Sequence, residues 1–133
     1  MTNVHPNVRY LIVCEDVQTA PENPHRVSLV GLISKISSSE EPSFPLLYEE
    51  VCVFLQLTEC RGSAEGRIEV RHADSDQLAF RTQTRTIPFG KDPLEVYGAT
   101  FRIRNCLFRE NGLYWVQFWY NERVIAQQPL VLR

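Results

Sequence analysis

The chain has 133 residues, which fits one domain over 1–133, and a chain of this length buries about two-thirds of its unfolded surface without a metal or disulfide. Apolar residues make up 44% and charged residues 23%, an ordinary globular composition that excludes wholesale disorder. The net charge of −2 disfavours nucleic-acid and anionic-membrane partners, because both need a concentrated positive field, and we expect neither.

The dominant hydrophobic period along the chain is two, which is typical of β-strands with one buried face. The clearest segment is 67–72, where Ile68 and Val70 alternate with charged neighbours. The best helical signal is a single turn around residues 46–51, a short stretch flanked by proline. In chain order the pattern predicts eight strands, at 8–15, 26–36, 51–59, 66–73, 77–87, 99–106, 113–120 and 123–132.

Turn-forming residues separate these strands. The prolines in 21–24 exclude a central strand there, because proline donates no ladder hydrogen bond. Segment 74–76 predicts a tight hairpin loop, and Asn121-Glu122 predicts a two-residue turn, since Asn tolerates the left-handed conformation. Further breaks are predicted at 61–63, 91–93 and 111–112. The pattern predicts an all-β fold of two packed antiparallel sheets, a β-sandwich, with a closed barrel as the alternative architecture.

The cysteines give no sign of a metal or cofactor site. None of the four belongs to a C-x-x-C motif or has a histidine at ligand spacing, so we expect no metal and no cofactor. The N-terminus lacks a signal-peptide pattern, and no apolar stretch approaches the about 20 residues of a membrane span. We therefore predict a cytoplasmic protein with reduced thiols; a disulfide from Cys52 or Cys60 to another strand stays open as an alternative.

No catalytic motif is present in the sequence. There is no G-x-S-x-G, no HExxH and no glycine-rich phosphate loop. His5, His25 and His72 have no local partners, and His72 falls on an apolar strand face, where a hydrogen-bonded structural histidine is the common outcome. We predict no catalytic residue, and the alternative is a hydrolase whose cysteine meets a histidine only in space.

Arginine dominates the basic residues, with 12 Arg against Lys35 and Lys91. If the strands that carry the outward arginines are neighbours, they form a surface suited to carboxylates or phosphates. Cross-strand ion pairing with Glu65 and Glu69 is the alternative explanation. The predicted anion-binding face consists of Arg67, Arg71, Arg81, Arg85, Arg102 and Arg104.

Segment 113–120 is apolar on both faces, and a sandwich strand needs only one buried face. One row holds Tyr114, Val116 and Phe118, and the opposite row must be covered by a loop, by the proline-rich segment 42–48 or by another molecule. Trp is a favoured anchor at protein interfaces. The predicted interface is Leu113, Trp115, Trp119 and Leu130.

Segment 111–133 resembles the last hairpin of immunoglobulin-like sandwiches. Gly112 and Tyr114 match the corner in which a tyrosine hydrogen-bonds backbone, whereas Val116 stands where antibody domains have a cysteine. The whole chain resembles a bacterial family of small domains, about 130 residues long, of unknown function. The matching segments are 7–16, 27–33, Phe44-Pro45 and the C-terminal hairpin. The resemblance implies a β-sandwich and brings no functional residue.

These patterns favour a non-enzymatic protein-interaction module. Its partner is another protein or a second copy, with a homodimer formed through the aromatic strand face. The alternative function is binding of a small anion or other ligand on the arginine-rich face.

Overall fold

The computed structural model describes residues 6–39, 41–60, 63–88, 92 and 94–133. His5 and the predicted breaks at Arg61-Gly62, Lys91 and Pro93 lie outside the described residues. The described part is all-β, and none of its residues forms a helix long and apolar enough to cross a membrane. Its strands are β1 (Asn7–Ala20), β2 (Asn23–Leu32), β3 (Lys35–Ile36), β4 (Leu46–Thr58), β5 (Ser63–His72), β6 (Leu78–Arg81), β7 (Arg85–Pro88), β8 (Tyr97–Phe108), β9 (Gly112–Tyr120) and β10 (Arg123–Leu132).

The strands form two sheets, which confirms the predicted sandwich over the barrel. Sheet I has the order β2-β1-β4-β8. Sheet II has the order β3-β10-β9-β5-β6, and β7 also pairs with β5. All pairings are antiparallel except the short parallel pair between β3 and β10. The core lies between the sheets, where Leu55, Ile68 and Phe118 are fully buried.

Two of the predicted strands are each divided in the structure. The predicted strand 26–36 is two strands: β2 pairs with β1 in sheet I, and β3 pairs with β10 in sheet II. The predicted strand 77–87 is also two, because Thr82 interrupts it. The Thr82 amide donates to the Ile68 carbonyl, and its hydroxyl accepts from the Ile68 amide, at 2.9 Å each.

The helical turn predicted at 46–51 is wrong. Leu46 begins β4, which pairs with β8 from Leu46 opposite Phe108 to Leu57 opposite Tyr97. Pairing of the backbone with β8 keeps the segment extended despite the prolines before it, and β1 joins the other side of β4 from Cys52 onward.

The two predicted hairpin turns are confirmed. Tyr120 pairs with Arg123 across Asn121-Glu122, and both turn residues have positive φ, 44° and 69°. Asn121 also joins the neighbouring strand, since its side-chain oxygen accepts from the Glu65 amide at 3.0 Å. In the other turn, Asp76 has φ 59° and donates its amide to the His72 carbonyl at 2.9 Å.

Candidate functional site

The outer surface of sheet II brings aromatic and charged side chains together. β9 lies between β5 and β10, and its outward residues alternate with the buried Tyr114, Val116 and Phe118. Trp115 stands opposite Arg71, and Trp119 stands opposite Arg67, across the β5–β9 pair. We name this surface the Trp–Arg face, consisting of Arg67, Glu69, Arg71, Arg81, Trp115 and Trp119.

Glu69 is the centre of the Trp–Arg face. Its carboxylate pairs with Arg67 at 2.6 Å, with Arg71 at 2.7 Å and with Arg81, across the β5–β6 pair, at 3.2 Å. The Glu69 side chain has 0% exposure, although it lies on the face predicted to be wet. The arginines themselves cover it, and their guanidinium groups are held in fixed directions by charge-assisted hydrogen bonds.

The balance of burial and hydrogen bonding keeps Glu69 ionised. Burial alone raises the pKa of Glu69, but hydrogen bonds from Arg67 and Arg71 outweigh it and hold the pKa below its ordinary value of 4.5. A carboxyl whose pKa is lower in the folded chain binds fewer protons there than in the unfolded chain. Glu69 therefore stabilises the fold above its unfolded pKa.

We expect the folded state to lose stability in acid as Glu69 takes up a proton. Because the pKa of Glu69 is lower in the folded chain than in the unfolded chain, its contribution to the free energy of unfolding is complete above about pH 5. That contribution is lost as the pH falls through the folded pKa. Urea denaturation between about pH 7 and pH 3 measures this loss. The Glu69→Gln variant should show a shallower decline than the wild type, and Glu65→Gln, an exposed neighbour on β5, should follow the wild type. Parallel declines for all three proteins would contradict the assignment.

Trp119 is held rigidly on the Trp–Arg face. The Arg67 guanidinium carbon lies 4.5 Å from the centre of the indole ring, a cation–π contact. The indole N–H donates to the Gln117 side chain at 3.2 Å, and Gln117 donates to Gln127 at 3.2 Å. Trp119 is half-buried, and Arg67 from the adjacent strand covers part of its ring.

The other predicted interface residues divide between the surface and the core. Leu113 is exposed and Trp115 is half-buried, both on the outer side of β9. The prediction that Leu130 belongs to this surface is wrong, because Leu130 is 2% exposed and stands opposite the buried Tyr114. A bulge between Val124 and Ala126 shifts the β9–β10 register by one residue, and a one-residue shift turns every following side chain to the other face.

The predicted arginine face does not form one surface. Arg67, Arg71 and Arg81 lie on sheet II around Glu69. Arg102 and Arg104 lie on β8 in sheet I, where both pair with Glu50, at 3.5 and 3.8 Å. Ion pairing therefore accounts for five of the six arginines, and the exception is Arg85. Arg67 and Arg71 pair with Glu69 within β5, whereas the other three pair across strands. Sequence reasoning named Glu69 but missed Glu50 as a partner.

The corner before β9 is built by Tyr114, Gly112 and His72. The Tyr114 hydroxyl donates to the Glu110 carbonyl at 2.7 Å, and His72 packs edge-on against the Tyr114 ring at 4.9 Å. His72 Nδ1 lies 3.3 Å from the Asp74 and Ser75 amides, so it accepts, and Nε2 carries the proton toward the Asn111 carbonyl at 3.1 Å. His72 is thus a hydrogen-bonded structural residue. Its position on an apolar strand face was the sequence signal for that role.

The cysteines are buried free thiols. Cys14 and Cys52 are opposite one another on β1 and β4, and both have 0% exposure. Burial raises the pKa of all four thiols, and that of Cys106 rises to about 12. Raised values keep the thiols protonated and therefore poorly nucleophilic. The described residues contain no cluster of His, Cys, Asp and Glu that could hold a metal ion.

The fold and this surface define a two-sheet β-sandwich with an aromatic and arginine-rich outer face. The chain belongs to the family of unknown function DUF6941, whose sequence profile matches residues 9–133. No curated protein matches the chain.

The chain is similar in fold to several solved structures. Among them is the Pseudomonas fluorescens alkylpurine DNA glycosylase AlkC bound to DNA containing an abasic site analog, with a TM-score of 0.51 and 13% identity. The match covers 99% of this chain and 31% of the glycosylase chain, so this chain spans about a third of that protein's length. At this identity the likeness shows the fold alone.

Proposed function

We propose that this chain is a non-enzymatic protein-interaction module that binds an acidic segment of a partner protein through the Trp–Arg face. The observation that carries the proposal is the set of two half-buried tryptophans beside three arginines that one buried carboxylate orients. Trp and Arg are the residues most enriched among binding hot spots. Ordering them before binding reduces the conformational entropy that association costs.

Apolar neighbours enlarge the Trp–Arg face beyond the two indole rings. Leu113 is 37% exposed at one end of β9, and Val124 is 40% exposed where it stands opposite Trp119. An apolar centre with charged residues around it is the usual composition of a protein interface. The partner segment therefore needs apolar side chains for the indole rings as well as acidic ones for the arginines.

The charge of the Trp–Arg face favours a different protein as its partner over a second copy of this chain. Three guanidinium groups meet the carboxylates of Glu69 and Glu122, so the Trp–Arg face carries more positive than negative charge. A symmetric dimer places the same patch of both copies in contact, so the surplus positive charges of the two copies would repel each other. An acidic partner instead pairs with it and gains in association rate.

The proposal that the module is not an enzyme rests on the state of its candidate nucleophiles. A cysteine hydrolase needs an accessible thiolate, whereas the four thiols here are buried and have raised pKa values. His72, which is buried, uses both ring nitrogens in structural hydrogen bonds. The free thiols also support the prediction of a reducing, cytoplasmic setting.

The immunoglobulin-like character and the bacterial origin stay predictions. The Tyr114 hydrogen bond four residues upstream is the contact that such a corner makes, and it supports the first of them. DNA binding is not part of the proposal, because the net charge of −2 provides no broad positive field for nucleic acid.

Affinity capture from the native cell tests the proposal with matched variants. We expect a protein to be retained by the wild type and by Tyr10→Ala, an exposed aromatic on sheet I, and to be lost from the double variant Trp115→Ala/Trp119→Ala. The captured protein, once purified, should bind the wild type directly, with affinity that falls as salt increases. Truncating one anchor residue should weaken it at least about 30-fold, which is about 2 kcal/mol.

Two results would contradict the proposal. The first is a captured protein that both aromatic variants retain equally. The second is a wild-type dimer, measured by light scattering, that the double tryptophan variant converts to a monomer while no other protein is captured. That second result would support self-association through the same face.

A further inference from the structure

A groove runs along the side of the sandwich where β8 of sheet I faces the β6–β7 connection of sheet II. Its volume is about 420 Å³, within the range of small-molecule sites. We name it the arginine groove, lined by Phe80, Thr82–Thr84, Arg85, Phe101, Arg102 and Arg104. Arg81 also reaches it from the Trp–Arg face.

Arg85 is the cation of the groove for which the described residues provide no carboxylate. Its guanidinium carbon lies 3.9 Å from the centre of the Phe101 ring, and one N–H donates to the Thr100 carbonyl at 2.6 Å. Loss of water on the side against the ring lowers the pKa of Arg85. The group is thus oriented and partly dehydrated, with its other side open to the groove. A partly dehydrated guanidinium gains more free energy from binding an anionic ligand than a fully hydrated guanidinium does.

Arg102 and Arg104 add positive charge that a ligand can recruit. Their contacts with Glu50 are long, at 3.5 and 3.8 Å, and the two arginine side chains are 43% and 70% exposed. Exposed ion pairs of this kind contribute about 0–1 kcal/mol, so turning the guanidinium groups toward a ligand costs little.

We propose that the arginine groove binds a nucleotide through its terminal phosphate group. A terminal phosphate group carries about 1.5 to 2 negative charges at neutral pH and three acceptor oxygens, which suits several arginines better than a carboxylate does. Thr84, an exposed residue with a hydroxyl group, lines the same groove, and the half-buried Phe80 offers ring surface for the rest of the molecule.

A long polyanion is disfavoured at this groove. Glu50 and Asp16 pair with Arg102 beside it, so a nucleic-acid backbone leaving the groove meets carboxylates on sheet I. The site is separate from the proposed protein interface except for Arg81, and the test therefore leaves Arg81 unchanged.

Calorimetric titration with ADP tests the proposal. We expect saturable one-to-one binding to the wild type, competition by inorganic phosphate, and a Kd at least about tenfold higher in Arg85→Gln. Arg26→Gln, an exposed arginine on β2, should bind as the wild type does. In Arg NMR spectra, the Arg85 side-chain resonance should shift on addition of ADP. If urea denaturation shows that Arg85→Gln does not fold, the double variant Arg102→Gln/Arg104→Gln replaces it, and we expect the same rise in Kd.

Three results would overturn the proposal. The first is no saturable binding of ADP or phosphate at about millimolar concentration. The second is equal affinity in the wild type and the groove variants. The third is an oligonucleotide or an acidic peptide that binds the groove more tightly than ADP and is lost with Arg85→Gln.

Discussion

Glu69→Gln is expected to lower the free energy of unfolding by about 3 kcal/mol. The substitution keeps the shape of the side chain but removes the charge that three arginines share. Arg67 is 11% exposed and cannot regain full hydration, so its positive charge is then balanced by the exposed Glu122 alone. Arg81 is 52% exposed and can turn to water, which holds the expected cost at the lower end for a buried pair.

Urea denaturation at neutral pH measures this effect as a fall in midpoint of about 1–2 M. Glu65→Gln, on the same strand and exposed, should stay within about 0.5 kcal/mol of the wild type. Arg81→Gln should destabilise the wild type more than it destabilises Glu69→Gln, because the two residues interact only when both charges are present. A Glu69→Gln protein as stable as the wild type would show that the arginines need no common carboxylate.

Gly112→Ala is expected to cost at least about 2 kcal/mol through two separate effects. Gly112 has φ +126°, a backbone conformation that residues with a side chain rarely adopt. A Cβ at this position would also lie 2.7 Å from His72 Nε2, the nitrogen that donates to the Asn111 carbonyl. The substitution therefore strains the start of β9 and displaces the histidine that packs against Tyr114.

Gly98→Ala is the matched control for this prediction. A Cβ at Gly98 would meet the Phe54 ring at 3.5 Å, an ordinary contact, so the free energy of unfolding should change by less than about 1 kcal/mol. The His72 imidazole resonances in NMR spectra should move in Gly112→Ala and stay in place in Gly98→Ala. Equal stability of the two variants would mean that the corner tolerates a side chain.

The strands themselves follow from local sequence. Alternation of apolar and polar residues is a property of one strand, so segments such as 66–73 and 113–120 are predictable without knowledge of their partners. The turn at Asn121-Glu122 is equally local, because few residues tolerate positive φ. The local pattern does not show which strand each strand pairs with. The division within 26–36 arises where the chain leaves one neighbour for another. Within 77–87, β6 and β7 both pair with β5 and are separated at Thr82.

The candidate site is predictable in its residue types but not in its arrangement. The tryptophans of β9 were predictable, since a strand apolar on both faces signals a surface that needs cover. Leu130 was misplaced because counting outward from the hairpin turn pairs it with Leu113, and the bulge between Val124 and Ala126 reverses that orientation. A bulge leaves no reliable mark in a single sequence, because the pairing of two strands decides it.

The sequence by itself determined the all-β class, most of the strands, the two tight turns and the absence of any recognisable catalytic motif. Only the tertiary structure decided that Glu69 is buried on an outer face and that Arg85 shares a groove with Arg102 and Arg104. The physical reason is that burial and charge pairing depend on neighbours in space. Register across β5, β6 and β9 brings those neighbours together from positions up to about fifty residues apart.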